Sequence, residues 1–410
     1  MNFPSSDKVK IFLPILLFAV FAFLCGYRLG FPPEKVYDEV YHVTTAQQFV
    51  GLNGFLDTAH PPLGKVWIAS SIWLMGDHPW AWRLASFLSG LGTLAVTFYL
   101  AKKLTGDFFL AFLASFLLAF DCASLAVARN AMIHAPMLFF MMLSLLAVVP
   151  YGVEGLPARR RSFFASGILW GLALGTRWIA IGISGVLFLL IYWGWKEEEN
   201  KAGFWRDFIL FFVIPAGWAY TAAYTVLPLV KGYQWKDVWH HQKHMLSYHE
   251  HLKAKHPYGS RWWGWPVLLR PIWFYFKRKQ GLVFGTICIG NPVIFWTMPL
   301  AIGFSIWELM KEKSRIAAFI LAGFFGQWLI YIFISRVTFF HYIYPMLPFT
   351  ALAVAYALRE IWRGGKAGRV FVAAYLVSAG LMFIYWYPLL TAFPVTEAFF
   401  RHHLWFKAWI

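Results

Sequence analysis

The sequence predicts an all-α, polytopic membrane protein, and three observations carry that expectation. Hydrophobic residues fill 60% of the 410 positions and charged residues only 13%. Mean hydropathy is +0.57. Windows of about 20 apolar residues, the length that crosses a bilayer, recur along the chain. Lipid tolerates no unsatisfied backbone, so these windows read as helices and not as strands. The formal net charge of +17 is scattered between apolar runs and builds no basic domain. It therefore points to topology and anionic lipid headgroups, and excludes a nucleic-acid partner.

Eleven windows qualify, near 11–31, 81–101, 108–128, 131–150, 162–175, 178–195, 207–229, 283–308, 315–335, 339–358 and 370–387. The first follows Lys8 and Lys10 with no small-residue cleavage site after it, which predicts an uncleaved span. Basic clusters orient the set: Lys8/Lys10, Lys102/Lys103, Arg159 to Arg161, Lys196 with Lys201 and Arg206, Lys311/Lys313/Arg315, and Arg359/Arg363/Lys366/Arg369 fall on alternate sides of the spans. The positive-inside rule puts all six in the cytoplasm, with the N-terminus inside, the C-terminus outside, and the chain in the plasma (inner) membrane as one domain, 1–410. Cys25, Cys122 and Cys288 lie in apolar stretches without metal spacing and read as buried hydrophobes.

Two stretches are not spans, and both fall outside. Residues 32–80 contain "YDEVYH" and "AHPPLGKVW", then "VWIASSIWLM", which is too short for a span and reads as an interfacial helix. Residues 230–282 are rich in Lys, Arg, His and Trp, against the topological trend. Arg83, Arg129, Arg177 and Arg336 sit at the external ends of spans, on the side of Asp38, Glu39 and Lys65. Guanidinium forks around an acidic pair suit a phosphate-bearing lipid, whereas single arginines at helix ends also snorkel to headgroups. Asp38 reads either as the N-cap of a helix from Glu39 to Phe49 or as a general base that deprotonates an acceptor hydroxyl. Neighbouring helix positions point about 100° apart, so Asp38 and Glu39 have different jobs.

In "AHPPLGK" the prolines stiffen the chain after His60, and Gly64 permits a tight turn before Lys65. In the larger loop, Asp237, His241 and His244 have helical spacing that could hold a divalent cation, with His249 and His251 as further ligands. An amphipathic interfacial helix explains the same residues without an ion, and the sequence requires no cofactor. Trp262, Trp263 and Trp265, with Arg261 and Arg270, fit either a sugar face or an interfacial anchor.

The order "YDEVYH", "HPPLGK", "GLALGTRW", "HPYGSRWWGWPVLLRP", "RVTFFHYIYPMLPF" and a final "WFKAWI" resembles the protein O-mannosyltransferases, especially bacterial members, from about residue 36 onward. The resemblance implies a GT-C glycosyltransferase fold with an external site. It implies transfer of mannose from a polyprenyl phosphate to Ser or Thr hydroxyls of proteins passing through the secretion channel, with inversion. It assigns Asp38 as base and Glu39 as a helper near the acceptor. Arg83, Arg129, Arg336, Lys65 and His341 fall to the donor phosphate, and His60, His256, Tyr258, Ser260 and Trp263 to the substrate loops. An inverting transfer needs one carboxylate plus fixed positive charge at the leaving phosphate, so a second carboxylate nucleophile is not required.

The 53 residues of the larger loop leave no room for the soluble sugar-binding module of eukaryotic members, which points to a prokaryotic enzyme. His134 stands where the family usually has an acidic residue, and Phe340-His341-Tyr342 replaces a Tyr-His-Tyr pattern. Aminoarabinose transferases acting on lipid A share the expected fold but use a lipid acceptor. A transporter would show inverted repeats or charge-bearing broken helices, and the sequence has no such repeat.

Overall fold

The computed structural model describes residues 7–154 and 159–409. α1 (Asp7–Gly26) is the first span. After it, α2 (Glu39–Val50) packs on α3 (Leu63–Met75), an apolar helix of 13 residues that exposes Trp73 and Leu74 and is too short to cross a bilayer, as its sequence predicts for an interfacial helix. α4 (Pro79–Thr105) is a span. The expected span 108–128 is instead two helices, α5 (Phe108–Ala119) and α6 (Cys122–Ala128), bent by 64°. Asp121 makes the break: its carboxylate accepts from the Ser124 amide at 2.9 Å, capping α6, and from the Asn291 amide at 3.0 Å.

α7 (His134–Glu154) and α8 (Arg159–Thr176) form a tightly packed pair, and α8 also lies against α11 (Ile214–Ala222). Between α8 and α11 the chain runs through a 3-10 turn, α9 (Ser184–Lys196), α10 (Lys201–Phe208) and a π-helical turn. A Cβ on Gly171 would collide with the Ala216 carbonyl oxygen, and one on Gly167 with that of Phe212. These glycines let the two backbones meet, and the tightly seated α8 fixes the position of Arg177 just beyond its C-terminal end.

α12 (Trp235–His251) is the amphipathic helix of the larger loop. β1 (Ile272–Lys279) and β2 (Leu282–Cys288) form an antiparallel hairpin turning at Gln280 and Gly281, with φ of 52° and 72°. Two left-handed residues match the turn that suits strand twist. β3 (Val395–Thr396) pairs with β2. The expected span 283–308 therefore begins too early: its first residues are strand, and the helix is α13 (Pro292–Glu312), capped by Asn291. α14 (Arg315–Trp328), α15 (Leu347–Arg363), α16 (Lys366–Leu390) and α17 (Glu397–His403) complete the chain.

Among the described residues eight helices are long and apolar enough to cross a membrane, or nine with the bent pair as one span. α8 and α15 occupy the other two of the eleven expected windows. Two ionic clusters tie the basic ends of the spans: Arg359 and Arg363 meet Asp107, and Arg159, Arg160 and Arg206 converge on buried Asp207.

Candidate active site

Asp38 stands at the N-cap of α2, yet its side chain makes no capping hydrogen bond. It opens instead into a cleft of about 440 Å³ that also bears His42, Asp57, His60, Arg177, His249, His256, Arg336 and Tyr342. The preceding Tyr37 has φ 47°, the left-handed region that a bulky residue rarely adopts. Its ring is held by Phe274, at 5.1 Å between centroids, and by His341 at 5.4 Å. Burial raises the Asp38 carboxyl above the usual value, against the opposing pull of His42 and Arg177.

Glu39 faces the other way. It is fully buried and accepts from Arg83 Nε at 2.8 Å and Nη2 at 2.9 Å, from the Ala131 amide at 2.8 Å and from the Val36 amide at 3.0 Å. Arg83 spends its other donors on the carbonyls of Leu29, Pro32 and Glu34. Arg129 donates to the carbonyls of Leu24, Cys25, Tyr27 and Arg28. Lys65 Nζ reaches Asp57 O at 2.9 Å, Asp57 Oδ2 at 3.2 Å and His60 O at 2.7 Å. Glu39, Arg83, Arg129 and Lys65 thus lie behind the cleft wall, with protein acceptors or donors on the groups that were expected to meet substrate. Gly64 also differs from expectation: it lies inside α3, where a Cβ would press on Ile133 at 2.6 Å, and close packing rather than a tight turn explains it.

Arg336 does line the cleft, joined by Arg177. Arg177 is 5% exposed, contacts His134, and lies over the Tyr342 ring at 4.9 Å. Arg336 lies 5.7 Å from the same ring and donates to the Tyr342 hydroxyl at 3.3 Å. Neither guanidinium is paired with a carboxylate among the described residues; Arg336 is half-buried, and for Arg177 a buried unpaired cation is costly unless an anion arrives. Both also line a second chamber of about 360 Å³, whose remaining wall is largely apolar: Trp178, Ile181, Ile330, Phe333 and Ile334. The two arginines thus border both spaces, as Tyr342 does.

His341 lies beneath Asp38, with Nε2 at 4.0 Å from Oδ2, boxed in by aromatic rings. His60 and His249 line both spaces. Burial, then the Arg177 charge, holds His60 well below the ordinary imidazole value, and burial with Arg336 and Arg177 pushes His249 down to about 4. Of the "HPYGSRWW" segment only His256 reaches the cleft. Tyr258 packs on the core, Ser260 accepts from Trp265 Nε1 at 2.9 Å, and Trp263 is exposed. The histidines of α12 clasp the loop before the prolines: His241 and His249 bond the carbonyls of Thr58 and Ala59 at 2.9 Å, and His244 meets the Thr58 hydroxyl at 3.0 Å. Asp237 caps its own helix through the Gln234 amide. Among the described residues no three His, Cys, Asp or Glu side chains are grouped to hold a metal ion.

Asp57, His42 and Tyr342 carry no signal in the sequence beyond their neighbours' motifs. Asp57 accepts from Lys65 and lies 3.1 Å from His42 Nδ1. Burial pushes its carboxyl up, but the Lys65 charge and the His42 hydrogen bond outweigh this and hold it well below the usual range.

Residues 76–230 match the family described as dolichyl-phosphate-mannose-protein mannosyltransferase, and residues 234–409 the C-terminal four-helix transmembrane region of protein O-mannosyltransferase. A polyprenol-phosphate-mannose–protein mannosyltransferase of Mycobacterium tuberculosis is 22% identical over 91% of this chain and 86% of its own. One from Corynebacterium glutamicum is 23% identical over 91% and 88%. In fold, the chain is similar to the S. cerevisiae protein O-mannosyltransferase Pmt1-Pmt2 complex bound to the sugar donor, with TM-score 0.86, 13% identity, and coverage of 100% of this chain and 93% of that one. ArnT from Cupriavidus metallidurans bound to undecaprenyl phosphate gives TM-score 0.56 at 16% identity, over 95% and 75%.

Proposed function

The chain belongs to the protein O-mannosyltransferase family, and we propose that its cleft transfers mannose from a polyprenyl phosphate to a Ser or Thr hydroxyl of an acceptor protein. The observation that carries this reading is that Arg177 and Arg336 line two spaces at once: a largely apolar chamber suited to a lipid, and the cleft that holds the Asp38 carboxylate. The donor phosphate sits at the two guanidiniums with its sugar toward Asp38. Asp38 takes the proton of the acceptor hydroxyl as that oxygen bonds the anomeric carbon from the face opposite the phosphate. The bond from the anomeric carbon to the phosphate oxygen breaks, its electron pair leaves with the polyprenyl phosphate, and the configuration inverts. Fixed positive charge at the departing oxygen stabilises the transition state more than the ground state.

The basic ends of the spans support a cleft on the external face of the plasma membrane and a cytoplasmic N-terminus, where acceptor chains arrive from the secretion channel at that external face. Two guanidiniums supply the charge that this scheme needs, so turnover persists in EDTA; loss in EDTA restored by a divalent cation would overturn that part. The central test supplies membranes with polyprenyl phosphate mannose and a Ser/Thr peptide, comparing the wild type with Asp38→Asn. The variant folds and loses transfer. Retained transfer refutes the base, and transfer to lipid but never to peptide favours a lipid acceptor.

A further inference from the structure

The base at Asp38 must give up the proton it collects before the next turnover, and the cleft holds a group suited to receive it. His42 lies four residues after Asp38, on the same face of α2, and its amide donates to the Asp38 carbonyl at 3.0 Å. Its ring is 3% exposed and borders the cleft. Nδ1 is 3.1 Å from Asp57 Oδ2, whereas Nε2 is buried without a hydrogen-bond partner. Asp57 is fixed as a carboxylate by Lys65, so it can only accept, and the ring proton must reside on Nδ1. That leaves the Nε2 lone pair bare, on a ring that lines the same cleft as Asp38. A buried acceptor without a partner is costly and calls for a role.

We propose that His42 is the proton carrier behind Asp38, resting on the base reading above. After transfer, the Asp38 carboxyl O–H gives its proton to His42 Nε2, directly or through one water, restoring the Asp38 carboxylate and leaving an imidazolium. Asp57 stabilises that cation through Nδ1–H, and His42 then releases the Nε2 proton to cleft water. The charged groups around His42 are Asp38, Asp57, Lys65 on Asp57, Arg177 across the cleft, and His60, whose ring centroid is 6.4 Å away. His341 is the competing carrier, since both its nitrogens also lack partners. It is walled in by rings, and the carboxylate facing it is Asp38 itself at 4.0 Å, so it has no second carboxylate such as Asp57 to hold a tautomer and stabilise its cation.

The experiment measures kcat and donor KM for His42→Ala and His42→Gln, with and without added imidazole, beside Asp38→Asn. Both His42 variants lose roughly 100-fold in kcat, the low end of the range for a positioned proton-transfer group, with donor KM within about twofold. Imidazole restores His42→Ala by filling the vacated space, and does nothing for His42→Gln, which keeps a donor to Asp57 but cannot carry a proton. Wild-type kcat in His42→Gln overturns the proposal, as does a loss in His42→Ala that imidazole leaves untouched. Activity in Asp38→Asn instead removes the base reading itself, which separates the two failures.

Discussion

Glu39→Gln tests the separation of the two adjacent carboxylates. The substitution keeps shape but removes the charge opposite Arg83, and it turns an acceptor that serves Arg83 twice, Ala131 and Val36 into an amide with one oxygen. Its NH2 must then face a donor. Breaking a buried pair by removing one partner costs about 3–5 kcal/mol. Unfolding entropy of about 2 cal/mol/K per residue makes that roughly a 5 °C fall in Tm for a chain of this length. The assay is thermal unfolding in detergent, followed by tryptophan fluorescence, with donor KM measured below the transition. The folded fraction binds donor normally, and Glu39→Gln/Arg83→Met is less destabilised than the two single costs added, because neither charge is left alone. A variant with unchanged Tm and abolished turnover would refute the reasoning and return Glu39 to the chemistry.

Arg177→Met and Arg336→Met each lower kcat by about 10²–10³, the loss expected for one stabilising donor, and raise donor KM; Lys at either position recovers part of this, because a point charge replaces a fork. Unchanged steady-state constants in both would exclude them from phosphate binding. Tyr342→Leu removes the ring shared by both guanidiniums and raises donor KM, whereas Tyr342→Phe keeps the ring and stays near wild type; equal effects would show that only the hydroxyl matters. For pH, transfer needs ionised Asp38, and burial raises its pKa, so the acid limb of kcat/KM falls as pH drops through a midpoint above the ordinary carboxylate value. A midpoint at or below that value contradicts the buried setting of the base.

The membrane class and the two non-spanning stretches are legible in the sequence because they rest on length, hydropathy and charge in a greasy chain. The arginines are not. Arg83, Arg129, Arg177 and Arg336 all sit near span ends, and linear position cannot tell a guanidinium satisfied by carbonyls from one left facing a cleft. Apolar residues 283–288 read as the start of a helix because a strand buried on both sides has no alternation to reveal it. Asp57 is hidden for a different reason, since its importance comes from Lys65 and His42, which only folding brings to it.

The two arginines behind the cleft wall explain how the Asp38 carboxylate, the proposed base, is held still. Arg129 takes the last carbonyls of α1, Leu24 and Cys25, where a helix leaves orphan acceptors and favours a cation. Arg83 continues along the carbonyls of Leu29, Pro32 and Glu34, and ends on Glu39. The loop from α1 to α2 is therefore bound along its length to α4 and to the end of α6. Because adjacent residues on α2 diverge by about 100°, anchoring Glu39 inward fixes Asp38 outward. The two carboxylates stand side by side because one locates the other, and the precision that proton abstraction requires is supplied by buried charge rather than by the cleft itself.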